Sequence, residues 1–149
     1  MKKVLLLVTM LLLSNHLMAN VADGFYFHQM KIEAKTVWLE TSVLLNSIDH
    51  HYAVEDATKE ICYDLGNLSV YIKLLDLSID KVDRTKFMNL SYKTRYNLRW
   101  AFRDRDQMLG ACGVAVGPSI PRGDFKALQK QVLKLRKKLE FALIELEML

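Results

Sequence analysis

The stretch 124-DFKALQKQVLKLRKKLEFALIELEML-149 carries the pattern that decides the fold. Its apolar positions step alternately by three and four residues, at Phe125, Leu128, Val132, Leu135, Leu139, Ala142, Leu146 and Leu149. This spacing averages ~3.5 residues and keeps one apolar seam on one side of an α-helix, where a partner helix can cover it. Asp124 follows Gly123 and is a good N-cap residue. The sequence therefore predicts a helix over 124–149.

The same stepping occurs three more times towards the N-terminus, over 23–48, 54–79 and 85–109. The three seams are Phe27, Met30, Ala34, Val37, Thr41, Leu44 and Ile48; Val54, Ala57, Ile61, Leu65, Leu68, Ile72, Leu75 and Ile79; and Phe87, Leu90, Thr94, Leu98, Ala101 and Met108. In the third seam Arg105 interrupts the pattern. No segment alternates strictly between apolar and polar residues, so no strand is predicted.

Four helices of ~25 residues with such seams predict an all-α four-helix bundle. Short connections near 49–53 and 80–84 make neighbouring helices antiparallel, and Asp83 is the expected cap of the third helix. The connection 110–123 holds both prolines and four glycines, which predicts a long loop. That loop could lead to a neighbouring or to a diagonal position. Alternatively, the last helix is a free arm that dimerises as a coiled coil.

The N-terminus has the features of a bacterial-type secretory signal over residues 1–19. Lys2 and Lys3 precede an apolar run over 4–13, and Ala19 offers a cleavage position. Cleavage after Ala22 is an alternative, and so is an uncleaved N-terminal anchor. The expectation is a periplasmic or secreted protein whose single helical domain spans 20–149.

Export determines how the two cysteines are interpreted, because two thiols that come together in an oxidising compartment form a disulfide. In an antiparallel pair of helices, Cys62 and Cys112 come to the same pole of the bundle. We therefore predict a disulfide between them that fastens the long loop to the second helix. A redox-active pair is the less favoured interpretation, because redox motifs place their cysteines close together in sequence.

The net charge and the absence of known motifs argue against several classes of function. The formal net charge of +4 is mild and includes Lys2 and Lys3, and export argues against a nucleic-acid partner. The sequence contains no nucleophile elbow, phosphate loop or paired carboxylates, so we expect neither an enzyme nor a cofactor. The adjacent His50 and His51 are too few for a metal site, and no metal is predicted.

Three surfaces are candidates for binding a partner. Long apolar loops without secondary structure are often functional, and the two helix surfaces carry residue types that anchor interfaces or attract acidic groups. The first is the apolar part of the loop, Val114, Val116 and Ile120. The second is one side of the third helix, which carries Tyr92, Tyr96, Trp100 and Arg103 and has Arg95 and Arg99 beside it. The third is a lysine ridge on the last helix, Lys126, Lys130, Lys134 and then Lys137 or Lys138. Each surface also has a competing interpretation without a partner. The loop could plug the open end of the bundle, and the rings of the third helix could cover the bundle. The lysines of the last helix could be the solvated side opposite its apolar seam.

These features favour an exported, non-enzymatic module that binds another protein, as inhibitors, toxin-neutralising or immunity proteins and envelope adaptors do. One alternative is a carrier that holds a small ligand or a metal inside the bundle. Another is an envelope-surface protein, anchored at the membrane surface by an uncleaved N-terminus or by the basic last helix.

Overall fold

The computed structural model describes residues 2–51, 57–85, 90–114 and 117–147, and for 2–20, 51 and 57 it describes the backbone alone. The elements are α1 (Lys2–His51), α2 (Ala57–Arg84), α3 (Tyr92–Leu109), a 3₁₀ turn (Gly110–Cys112) and α4 (Phe125–Glu147). The described part of the chain contains no strand. The predicted all-α bundle is confirmed.

The helices form a ring in chain order, because α1 packs on α2, α2 on α3, α3 on α4, and α4 closes the ring on α1. Neighbours are antiparallel: the hydrogen bond from Thr94 to Glu145 joins the start of α3 to the end of α4. Trp38 Nε1 likewise donates to Glu140 Oε1 across α1 and α4 at 3.1 Å. The last connection therefore leads to a neighbouring position. The alternative of a free arm is wrong, because two helices cover the α4 seam.

One continuous core fills the centre of the ring, and the predicted seams supply it. The fully buried members with the largest side chains are Met30, Leu44, Ile48, Ile61, Leu65, Leu68, Ile72, Leu75, Ile79, Leu98, Met108 and Leu128. Burying one such side chain contributes about 1.5–3 kcal/mol, so the seams are the main source of stability. Phe27 is partly buried against this core. Val54, Phe87 and Leu149 lie outside the described residues.

The boundaries of the second and third helices differ from the prediction. Helix α2 continues to Arg84, because 80–84 holds no helix-breaking residue and Val82 extends the buried seam. Asp83 therefore lies inside α2 and does not cap the third helix. That role belongs to Ser91, whose Oγ accepts a hydrogen bond from the Thr94 amide at 3.0 Å.

The first helix begins earlier than residue 23. Its backbone is helical from Lys2, so the segment with the features of a secretory signal continues directly into the bundle helix. Met30 is the first fully buried position among the side chains described. Within the described residues, no helix combines the length and the apolar character needed to cross a bilayer.

Helix α3 has a more polar inner side than its predicted seam suggests. Its buried residues are Thr94, Asn97, Leu98, Ala101, Asp104 and Met108. Arg105, which interrupts the predicted seam, directs its side chain towards α2, where its Nε donates to Ser69 Oγ at 2.7 Å. The buried Asn97 and Asp104 were not predicted, and they lie on the side of α3 that packs against α4.

The disulfide between Cys62 and Cys112 is confirmed, with the two Cα atoms 5.7 Å apart. It fixes the 3₁₀ turn, which replaces the first part of the predicted loop, to the start of α2. A Cβ on Gly110 would lie 2.5 Å from Ser119 Cβ, so only glycine permits this close approach of the loop. The predicted cap of α4 is also confirmed, since Asp124 Oδ1 accepts from the Ala127 amide at 3.0 Å.

Candidate functional site: the groove between α3 and α4

The predicted aromatic–arginine surface divides into two parts that face different neighbours. Arg99 faces α2, with its guanidinium nitrogens 2.7 Å from Asp80 Oδ1, 3.0 Å from Asp83 Oδ2 and 3.4 Å from Asp76 Oδ1. Arg95 forms an ion pair with Asp83 at 3.0 Å. These two arginines join α2 to α3. Arg95 and Arg99, which were predicted to lie beside the aromatic rings, are thus engaged by the aspartates of α2.

At this α2–α3 contact, the arginines of α3 and the aspartates of α2 neutralise each other's charges. The hydrogen bond to Asp80 is the largest of the effects that raise the pKa of Arg99, which keeps the guanidinium charged. Burial raises the pKa of Asp76, although Arg99 opposes that effect. Three carboxylates surround two guanidinium groups, so this side of α3 has no excess positive charge.

The aromatic residues lie on the neighbouring side of α3, beside α4. The rings of Tyr92 and Tyr96 are stacked with centroids 6.3 Å apart, and Trp100 follows 5.3 Å from Tyr96. Tyr92 is 82% exposed, whereas Trp100 is half-buried. The rings thus form a row along the helix, and it leads from solvent into the contact with α4.

Cations of two helices cover the inner end of this row. Lys138 Nζ lies 3.8 Å from the centroid of the Trp100 ring, and Lys134 Nζ lies 5.1 Å from it. Arg103 of α3 approaches the same ring at 5.3 Å. Lys138 is also 5.1 Å from the Tyr96 centroid. Since cation–π contacts hold these long side chains against rigid rings, the ammonium groups are positioned before any partner arrives.

A groove of about 330 Å³ runs beside this cluster, and we call it the α3–α4 groove. It is lined by Lys93 and Asn97 of α3 and by Lys134, Lys137, Lys138 and Phe141 of α4. Glu145 forms an ion pair with Lys93 at 3.7 Å. Among the described residues, no carboxylate lies within 4.0 Å of the other three ammonium groups. The groove is therefore rich in positive charge that the fold does not neutralise by direct pairing.

Two buried polar side chains of α3 lie on the inner side of this cluster. Asn97 is 8% exposed and lines the groove, and its side chain makes no hydrogen bond to another described residue. Asp104 is 4% exposed, and its Oδ2 has no partner in good hydrogen-bond geometry. Burial raises the pKa of Asp104, and the neighbouring Trp100, Lys134, Gln131 and Lys138 oppose that rise. Asn97 can therefore offer a free amide to a ligand.

At the outer end of the groove, Glu145 has a fixed role in the fold. Its carboxylate accepts hydrogen bonds from Thr94 and Ser91, and that from Thr94 is the main cause of its lowered pKa. It thus joins the end of α4 to the cap of α3. One acid at the rim is engaged in this way, while the lysines deeper in the groove have no such partner.

The predicted lysine ridge is divided by the structure. Lys134 and Lys137 line the groove together with Lys138, which was predicted only as an alternative to Lys137. Lys126 and Lys130 are exposed one to two turns nearer the start of α4 and are not among the groove-lining residues. The charge on α4 therefore consists of a groove set and an outer pair.

The predicted loop surface also has two components. Ile120 is partly buried against the core, as the plugging interpretation expects, while Val114 is 64% exposed. The loop is fastened by hydrogen bonds from the Ile120 amide to Gln107 O at 3.0 Å and from the Gly123 amide to Ala111 O at 2.8 Å. Val116 lies outside the described residues.

A second groove, which was not predicted from sequence, lies between α1 and α4. It measures about 480 Å³ and is lined by Lys35, Trp38, Glu140, Leu143, Ile144 and Glu147. Arg136 covers Trp38 with its guanidinium carbon 4.3 Å from a ring centroid. Its lining is mainly apolar, and its polar groups include both signs of charge, so it indicates a partner's chemistry less clearly than the α3–α4 groove does.

Among the described side chains, no three His, Cys, Asp or Glu residues are grouped so that they could hold a metal ion. His50 Nδ1 lies 2.7 Å from Asn46 O, as expected of a helix-surface histidine, and the side chain of His51 is not described. Comparison of the chain with protein-family models, curated proteins and solved structures finds no match. The α3–α4 groove thus becomes the main guide to function.

Proposed function

We propose that this protein is an exported, non-enzymatic module that binds an acidic segment of another protein along α4, with the α3–α4 groove as the centre of the contact. The observation that carries the proposal is the set of Lys134, Lys137 and Lys138, which line one groove without a carboxylate within ion-pair distance in the described structure. The signal-like N-terminus supports export.

Pre-positioned charge is the physical reason that this face suits a partner. An exposed lysine loses side-chain entropy when it is ordered by binding, and this loss cancels much of its Coulomb gain. Lys134 and Lys138 are already held against Trp100, so less entropy remains to be lost. Lys126 and Lys130 extend the positive charge along α4 and steer an acidic partner towards the groove.

The aromatic row gives such a partner an apolar contact next to the charges. Phe141 is exposed and lines the groove, Tyr92 is exposed at the outer end of the aromatic row, and aromatic rings combined with cations are typical of interface centres. The interior of the bundle, by contrast, is packed with side chains that are nearly inaccessible. We therefore prefer this face to the alternative of a carrier that uses the bundle interior.

A defined acidic peptide tests the proposal directly. A fluorescent helical peptide rich in Asp and Glu should bind the oxidised protein, as followed by fluorescence anisotropy, and binding should weaken as salt is raised. The triple variant Lys134→Gln, Lys137→Gln, Lys138→Gln should bind at least tenfold more weakly. The matched control is Lys35→Gln, Lys59→Gln, Lys73→Gln, which removes the same charge from exposed sites on α1 and α2 and should retain most of the affinity.

Equal losses in the two triple variants would contradict the proposal, because they would mean that only net charge matters. A second arm uses vesicles of acidic lipid in place of the peptide. Groove-dependent binding to vesicles without binding to the peptide would favour the envelope-surface alternative and reject a protein partner.

A further inference from the structure

The cations that line the α3–α4 groove are of one chemical type. They are lysines, whereas Arg95 and Arg99, on the other side of α3, are engaged by the aspartates of α2. An arginine fork matches the planar carboxylate, but the ammonium group is a compact charge with three rotatable donors. Several lysines around one space can therefore point donors at a tetrahedral oxyanion from different directions.

The inner end of the groove adds a neutral donor to these charges. Asn97 is 92% buried, lines the groove and makes no side-chain hydrogen bond within the described structure. Its amide is not among the fully enclosed polar groups that lack a partner, so it stays accessible from the groove. A ligand oxygen in the groove could accept from this amide as well as from the ammonium groups.

The charge of the groove also favours a tetrahedral oxyanion, and in particular a doubly charged one. Three lysines of the groove lack an ion-pair partner among described acids, and the one carboxylate near two of them is the buried Asp104. A phosphate monoester carries about −1.5 to −2 charges at neutral pH. A single carboxylate would compensate fewer of these charges. Because Lys134 and Lys138 both rest on the Trp100 ring, one compact group can meet two pre-positioned ammonium groups together.

We propose that the inner part of the α3–α4 groove binds a phosphate monoester group through Lys134, Lys138 and the Asn97 amide. Trp100 is a positioning residue that holds the two lysines. This goes beyond the proposed function, because it requires no protein partner. Two sources share this chemistry, a free phosphate or small phosphorylated compound and the head group of a phosphorylated lipid.

Titration with inorganic phosphate is the first test, with heat of binding and amide NMR shifts of the oxidised protein as readouts. Ionic strength is held constant with chloride. We expect saturable binding that Lys134→Gln with Lys138→Gln weakens by about tenfold, since charge-assisted hydrogen bonds are lost. The matched control, Lys59→Gln with Lys73→Gln, removes the same charge from exposed sites on α2 and should change the affinity by less than twofold.

Trp100→Leu separates positioning from folding. It keeps all the charges but removes the ring, and we expect phosphate to bind about threefold more weakly while far-ultraviolet circular dichroism stays unchanged. An affinity equal to that of the parent protein would overturn the role of Trp100.

Vesicle flotation distinguishes the two sources. Vesicles with phosphatidic acid, a monoester, are compared with vesicles of equal charge made with phosphatidylglycerol, a diester. Groove-dependent preference for phosphatidic acid supports the lipid source, and saturable free phosphate without that preference supports the soluble source. The proposal is overturned if neither probe binds, or if binding is unchanged in the groove variant. Peptide binding without phosphate binding would leave the proposed function in place and remove this inference alone.

Discussion

The cations on the two long sides of α3 have different partners. On the α2 side, Arg95 and Arg99 meet three aspartates, and every charge has a partner that the fold supplies. On the α4 side, Lys134 and Lys138 rest on an aromatic ring, and among the described residues they form no ion pair with a carboxylate, although Asp104 is buried nearby. Cations that the fold neutralises hold helices together, whereas cations that it leaves unpaired remain available for a partner.

The comparison implies that the α2–α3 side contributes to stability and the α3–α4 groove to binding. Variants of the two sides should therefore change different measurements.

The largest expected effect comes from the disulfide, which fastens the end of α3 to the start of α2. Replacing both Cys62 and Cys112 by Ala should lower the free energy of unfolding by about 4 kcal/mol, because the bridge closes a loop of about fifty residues. Urea unfolding measures this. At temperatures where the variant remains folded, it should still bind the acidic peptide, since the groove lies on the other side of α3. A loss below 1 kcal/mol would show that the bridge hardly restricts the unfolded chain.

A matched pair of single substitutions tests the comparison itself. Arg99→Gln should destabilise the protein by about 1–2 kcal/mol, because it leaves three neighbouring aspartates with one cation fewer, and the effect should shrink in high salt. Lys138→Gln should change stability by less than about 0.5 kcal/mol but weaken peptide binding. Thermal unfolding and anisotropy give the two readouts. If Lys138→Gln proved the more destabilising, the assignment of roles to the two sides would be reversed.

The sequence predicted the fold well because the seam residues follow a local rule. A three–four spacing places them on one side of a helix, so their burial followed from spacing. The antiparallel order followed from the short connections, and the disulfide from that order together with the expected export. The end of α2 was misplaced because short connections leave little signal. Nothing in residues 80–84 stops a helix, and Val82 continues the seam.

The site was predicted less well because it depends on which neighbour each side of α3 faces. Arg95, Arg99 and Trp100 are close along the helix, but they lie on sides that different helices cover. The signal for the first side was present as Asp76, Asp80 and Asp83, a stripe on α2 spaced to meet two arginines. The signal for the second side was Asn97 and Asp104, which are seven residues apart and so lie on one side of α3.

The smallest expected effect concerns Asp104, the carboxylate buried next to the groove lysines. Its pKa in the folded protein is raised from the ordinary value near 3.8, mainly by burial, so folding favours the protonated form. Between about pH 4 and the raised pKa, the folded state binds more protons at Asp104 than the unfolded state does. The free energy of unfolding therefore falls as pH rises through this range. Asp104→Asn mimics the protonated form. It should match the parent protein near pH 3.5 and become the more stable of the two by up to about 1 kcal/mol at pH 7.

The control for that comparison is Asp106→Asn, two residues along the same helix. Asp106 is exposed and forms an ion pair with Arg105 at 3.1 Å, so its substitution should give no stabilisation that grows with pH. Urea unfolding at a series of pH values measures both differences. If Asp104→Asn were instead destabilising at neutral pH, then the Asp104 carboxylate would be a favourable partner of Lys134 and Lys138. The α4 side of α3 would then be neutralised by the fold as the α2 side is, and the contrast between the two sides would disappear.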